Sequence, residues 1–136
     1  MRKHKTTFSF FIGLVCLFLL LATVSCSKDE GKGGRALITG KLYVKNYNSS
    51  GIFKDEYYGP DEDVYIIYGN EPMYGDVIKT NYDGTYRFEY LRKGHYTVFA
   101  YSDCDTCASG TMPIMLETDI TSSKQVVELP DLVVQR

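Results

Sequence analysis

Two cysteines three positions apart, in Asp103-Cys104-Asp105-Thr106-Cys107, are the residues of this chain whose types and spacing most readily do chemistry. In an oxidising compartment such a pair reads first as a disulfide, and closing a loop of about four residues contributes roughly 2 kcal/mol, enough to pin a turn. A redox pair needs the cysteines at a helix start in a βαβ setting, and a zinc site needs two further ligands. Past residue 25 the only imidazole is His95, so the redox, metal and free-thiol readings of Cys104 and Cys107 stand behind the disulfide. The acids Asp55, Glu56, Asp61, Glu62 and Asp63 could offer oxygen atoms to Ca²⁺, but they lack the spaced ligands and glycine of an EF-hand loop, which favours a solvated strand entrance. No HExxH, GxSxG or P-loop motif occurs, and one histidine leaves a hydrolase triad hard to assemble. The expectation is a protein without catalytic residues, cofactor or resident metal.

The elements that must position these residues read as strands. In 35–47 the even positions Ala36, Ile38, Gly40, Leu42 and Val44 are apolar or small and alternate with Arg35, Thr39, Lys41 and Lys45. That period of two is the pattern of a half-buried strand. It recurs with Tyr86, Phe88 and Tyr90, and with Tyr96, Val98 and Ala100, and these alternating residues are expected in the core. Further strands are expected at 63–68, 76–81, 111–117 and 124–134, while no window of helical length shows a 3.6-residue period. Asp83-Gly84 reads as a tight hairpin turn, because glycine tolerates the positive φ it requires. Pro130 cannot donate a ladder bond, so the last strand is expected at an edge or broken there. Seven short strands over about a hundred residues predict an all-β chain, a seven-stranded antiparallel β-sandwich with transthyretin-like or Ig-like Greek-key connections.

Asn46 to Gly59 is a long link for a compact domain, and it holds Phe53, Tyr57 and Tyr58. These rings either cover the end of the sandwich or form a binding surface. All twelve tyrosines follow residue 25. Tyrosine joins a flat apolar ring to a hydrogen-bonding tip, which suits cores, protein contacts and sugar stacking alike. Phe53, Tyr57, Tyr58, Tyr74, Phe99 and Tyr101 fall in loops or on the outer face and are the candidates for meeting a partner.

The N-terminus concerns address. Arg2, Lys3 and Lys5 precede an apolar run from Phe8 to Val24, and small Ser25 precedes Cys26. This arrangement resembles a bacterial lipoprotein signal, with Thr23 where such signals usually carry Leu. The resemblance implies cleavage before Cys26, whose thiol then carries a diacylglycerol, so the membrane is a partner through the lipid anchor. The division that follows is a signal peptide at 1–25, the lipidated cysteine and a flexible tether at 26–34, and one β-sandwich domain at 35–136. The other reading of the apolar run is a retained span, for which it is at the short edge of length. Lys28-Asp29-Glu30 is similar to the acidic export signal of some Bacteroidetes lipoproteins, or is simply a solvated linker. The expected location is the outer membrane, with the domain facing the periplasm or the cell surface. Removing residues 1–25 takes three of fifteen Lys and Arg and none of seventeen acids, which leaves a net charge of −5. An acidic chain with no basic cluster larger than Arg92-Lys93 argues against a nucleic-acid partner.

The series Thr80, Asp83-Gly84, Tyr86, Phe88, Leu91, Gly94, Tyr96 and Val98, preceded by Gly40 to Val44 and Val64 to Ile67, resembles the carboxypeptidase regulatory-like domain over about residues 36–134. That resemblance implies a transthyretin-like β-sandwich and an accessory role in surface proteins, with no catalytic residues to carry over; a shared fold does not by itself establish a shared role. Together these readings lead to a lipoprotein that acts as a binding, adhesion or accessory module. The alternatives are a carbohydrate-binding accessory lipoprotein of a glycan-uptake system and, more weakly, a redox or metal-handling protein using Cys104 and Cys107. Replacing Cys26 with Ser is expected to abolish lipidation, and the absence of a lipid mass on the N-terminal peptide together with lost detergent-phase partitioning is the measurement that checks it.

Overall fold

The computed structural model describes residues 29–136; Cys26 and the segment 1–25 lie outside the described residues. The described chain forms nine strands and no helix: β1 (Lys32–Tyr47), β2 (Phe53–Tyr58), β3 (Asp63–Tyr68), β4 (Asp76–Lys79), β5 (Thr85–Leu91), β6 (Gly94–Asp103), β7 (Thr111–Ile120), β8 (Val126–Glu128) and β9 (Leu132–Gln135). They make two sheets that bury their inner faces on each other, a β-sandwich.

The first sheet is built on β1, whose sixteen residues are long enough to pair with two strands along each edge. Leu42 shows how one edge is shared: its N–H donates to Gly84 O at the start of β5, and its carbonyl accepts from Gly59 N at the end of β2. The opposite edge takes β8 at Leu37–Thr39 and β9 at Leu42–Lys45, both in parallel. The second sheet has the order β4-β3-β6-β7 and is antiparallel throughout. From the first sheet Ile38, Leu42, Val44, Phe88, Leu132 and Val134 point inward; Val64, Ile66, Tyr96, Val98, Ala100 and Ile120 meet them from the second. The inward positions of β1 are the even ones that its sequence pattern marks.

Several expectations are corrected. The strand count is nine rather than seven for two reasons. The link Asn46 to Gly59 contains β2, because Asn48 Oδ1 accepts from Ser50 N and Ile52 N and turns the chain back on β1. The segment 124–134 is split around Pro130 into β8 and β9. The sheets are not all antiparallel, since β8 and β9 run beside β1 in its own direction. Asp83-Gly84 is a turn but not a hairpin, because β4 and β5 belong to different sheets. Tyr90 is exposed and Leu91 is buried in its place. The register slips between Lys32 and Ile38, and Tyr90 adopts φ 61°, which breaks the alternation at the end of β5. The boundary drawn between 34 and 35 falls inside β1: Lys32 is already paired, and Gly31 N donates to the buried Tyr96 hydroxyl at 3.0 Å.

Three local arrangements hold the sheets in place. Thr80, buried between them, donates from its hydroxyl to Gly59 O at 2.6 Å and accepts from Glu62 N at 3.0 Å, which fixes the passage from β2 to β3. Gly40 lies opposite Tyr86 in the β1–β5 ladder, and a Cβ there would collide with the Tyr86 hydroxyl. The ring covers the glycine from the core side, and burial pushes the Tyr86 phenol up from its ordinary pKa. At the turn between the sheets, Gly84 has φ 77°, and a Cβ there would lie 2.8 Å from Tyr58 Cβ and 3.0 Å from Leu42 O. Asp83 accepts from the Thr85 hydroxyl and backbone N–H, which holds its carboxyl below the usual range. Gly84→Val combines an unfavourable φ with backbone crowding and is expected to cost more than about 1 kcal/mol, read as a lower denaturation midpoint with unchanged m.

Candidate functional site: an aromatic face on the second sheet

The outer face of the β4-β3-β6-β7 sheet carries a cluster of rings. Register places Val77, Tyr65, Phe99 and Met115 side by side on the four successive strands. Cross-strand partners share a face and lie within reach of one another, so the four make one apolar row across the whole sheet. Tyr65 and Phe99 stack at 5.0 Å between centroids and 16° between planes. Tyr74, from the β3–β4 loop, and Tyr101, next along that face of β6, meet Tyr65 edge-on at 5.0 and 5.5 Å. Tyr101 also meets Phe99 at 5.5 Å. Edge-to-face and offset pairs of this kind stabilise beyond the area they bury, by about 0.5–1.5 kcal/mol each. Burial among these rings, and then the nearby Asp63 carboxylate, push the Tyr65 phenol above its ordinary pKa.

Charge surrounds the row. Lys79 bridges Asp63 at 3.2 Å and Asp61 at 3.5 Å at one side of the face. His95 and Asp119 meet at 2.9 Å toward the other end, with Glu117 beside the row on β7. Apolar centres rich in Tyr, Phe and Met inside a polar rim are the composition of recognition surfaces.

The six residues proposed from sequence as partner contacts divide between the two sheets. Tyr74, Phe99 and Tyr101 come together in the cluster. Phe99 is only 5% exposed, however, so it supports its neighbours and is not itself available to a partner. Phe53 packs on Tyr47 at 5.8 Å, and Tyr58 on Tyr43 at 5.1 Å, on the first sheet. Tyr58 is further occupied: Lys41 Nζ lies 4.6 Å from its ring centroid, and its hydroxyl donates to Asp131 at 3.2 Å. Tyr57 lies opposite Val44, and its ring remains exposed. Sequence reasoning missed Tyr65, the centre of the cluster, along with Val77 and Met115. Alternation within Asp63–Tyr68 sets Tyr65 opposite in face to buried Val64 and Ile66, but Phe99, the cross-strand neighbour on which it stacks, is 34 residues away.

Cys104 and Cys107 form a disulfide with their Cα atoms 5.3 Å apart, at the tip of the β6–β7 hairpin. The tip is closed by Cys104 N donating to Gly110 O at 2.9 Å. With the Asn48 turn it borders an open groove of about 610 Å³, at the end of the sandwich opposite to where the chain enters β1. Of the acids expected as Ca²⁺ ligands, Asp61 and Asp63 both pair with Lys79, and Glu62 accepts from Arg136 at 2.6 Å. Among the described residues no three His, Cys, Asp or Glu side chains gather as a metal site.

No family model matches the chain. No curated protein matches it either. Among solved structures, it is similar to a protein from Pseudomonas aeruginosa described as a candidate carbohydrate-binding protein, at 16% identity over 78% of this chain and 91% of that one, with a TM-score of 0.43. It is also similar to an (S)-allantoin synthase, at 15% identity over 76% of this chain and 42% of that one, with a TM-score of 0.42. At these scores the likeness carries no argument about role.

The disulfide closes a hairpin whose strands are already paired over their full length. Replacing both cysteines with Ser is therefore expected to cost at most about 2 kcal/mol and to leave the fold intact. The wild-type mass should fall about two hydrogens short of the reduced chain; a denaturation midpoint that collapses in the double mutant would contradict this account.

Proposed function

We propose that this chain is a non-catalytic binding or accessory module, held at the outer membrane through lipid on Cys26, whose contact surface is the outer face of the β4-β3-β6-β7 sheet. The observation that carries the reading is the row Val77, Tyr65, Phe99, Met115 with Tyr74 and Tyr101 beside it. Val77, Met115, Tyr74 and Tyr101 are each between 41% and 50% exposed, although the sandwich has a complete core without them. Other exposed apolar side chains, such as Ile52, Tyr82 and Val126, lie elsewhere on the chain, but these four are brought together on one face, and a contiguous exposed apolar patch marks an interaction site. The anchor and the outer-membrane address rest on the signal resemblance, and the accessory role is in keeping with the resemblance to the carboxypeptidase regulatory-like domain.

A second reading, glycan binding in an uptake system, is favoured by the three tyrosines at one place, since their rings can stack on sugar faces while their hydroxyls exchange hydrogen bonds. A photocrosslinking residue at Val77, in the full chain expressed in its own cells, should give a discrete adduct that Tyr65→Ser removes, whereas the same probe at Lys54 on β2 should give none. Adducts at Lys54 and not at Val77 would overturn the choice of face. Binding on a glycan array that Tyr65→Ser and Tyr101→Ser abolish would establish the sugar reading instead.

A further inference from the structure

The β7 edge of this same sheet has open backbone groups whose positions follow from its register. Pairing between β6 and β7 runs without a slip from Gly94 opposite Ile120 to Asp103 opposite Thr111. Bonded and non-bonded pairs alternate along an antiparallel ladder. Because Cys104 N bonds Gly110 O beyond the end of the ladder, the even-numbered residues of β7 bond β6. Thr111, Pro113, Met115, Glu117 and Asp119 therefore turn their backbone groups outward. Two side chains agree with this parity, since the Ser109 hydroxyl donates to Thr111 O at 2.7 Å and Gln125 Nε2 to Asp119 O at 3.5 Å. Pro113 also agrees, because an outward position needs no donor for β6. No other described strand pairs with this edge.

Native sheets shorten, twist, charge or place proline on their edges, and β7 has Pro113 near one end but runs ten residues without a bulge, which leaves the stretch from Met115 to Asp119 free of proline. Here the charges are Glu117 and Asp119, and β7 holds no Lys or Arg. We infer that the β7 edge receives an extended, cationic strand from a partner protein by strand addition. The strand would take the outward N–H groups of Met115, Glu117 and Asp119 and the outward carbonyls of Met115 and Glu117. Its side chain beside Met115 would lengthen the apolar row, and Lys or Arg at the next positions on that face would meet Glu117 and Asp119.

A second copy of this chain fits the edge less well. Antiparallel self-pairing centred on Met115 sets Glu117 against Pro113, which has no N–H to give. Centring on Leu116 or Glu117 sets the two copies' Glu117 side chains diagonal to or opposite each other, where like charges repel. The inference rests on the proposed function only in placing a partner at this sheet, and its test reads the backbone of β7 rather than the rings.

The full chain, processed in its own cells and held in detergent, would be mixed with a ten-residue peptide alternating Lys and Val, and amide exchange would be followed by NMR. The expected result is at least tenfold slower exchange at Met115, Glu117 and Asp119, with the amides of Leu116 and Thr118 unchanged and no effect from a peptide alternating Glu and Val. Glu117→Pro, which removes one outward donor and leaves the β6 ladder whole, should abolish the protection. Should that variant unfold, the double change Glu117→Lys and Asp119→Lys serves instead and should transfer the protection to the acidic peptide. Equal protection by both peptides, no protection, protection that rises with protein concentration alone, or equal protection by cellohexaose would each overturn the inference; the second to last would assign the edge to another copy. If Tyr65→Ser leaves native crosslinking intact while β7 protection persists, the aromatic face fails as the contact surface and the edge stands.

Discussion

Every strand of the first sheet hydrogen-bonds to β1, and that single shared backbone is the constraint on which the rest depends. Its N–H and C=O groups are used on both edges, with β5 and β2 end to end on one and β8 and β9 on the other. A strand so enclosed has to be apolar on its inner face throughout, and Ala36, Ile38, Leu42 and Val44 are almost fully buried. The one inward position without a side chain, Gly40, is closed by Tyr86 from β5. The last strands depend on β1 too: broken around Pro130, they still follow its direction, and Val134 and Leu132 complete the core.

That arrangement leaves the second sheet with a different task. Its inner face fills the core against β1 and its partners, while its outer face has no other strand over it among the described residues. An uncovered sheet face is normally polar. This one is apolar at its centre and charged at its rim, and its central rings are held by one another through stacked and edge-on contacts rather than by the core. Rings supported in this way are already ordered before any partner arrives, so less conformational freedom is lost on contact. The face and the β7 edge are continuous, because the row of apolar side chains ends at Met115 on that edge.

The disulfide belongs to the opposite kind of site. It lies at the tip of a hairpin whose ladder is complete up to Asp103 and Thr111, and it joins residues three apart, so it constrains little beyond its own turn. Its place at the far end from the entry of the chain makes it a fixed tip on the module, in keeping with a scaffold role.

What the sequence determined by itself was local and periodic. Alternation every two residues marked β1, β5 and β6 and, Tyr90 excepted, the inward face of each, because the pleat sends successive side chains to opposite sides whatever the strand pairs with. It also marked the positive-φ turn at Gly84 and the break at Pro130, since both follow from the geometry of one residue. Only the tertiary structure decided which strands were neighbours. It separated β4 from β5 into different sheets, ran β8 and β9 parallel to β1, and turned Tyr90 outward through a register slip that no single strand encodes. The aromatic face was hidden for the same reason: Val77, Tyr65, Phe99 and Met115 are far apart along the chain and become adjacent through hydrogen bonds between strands, a relation that period-two patterning cannot carry.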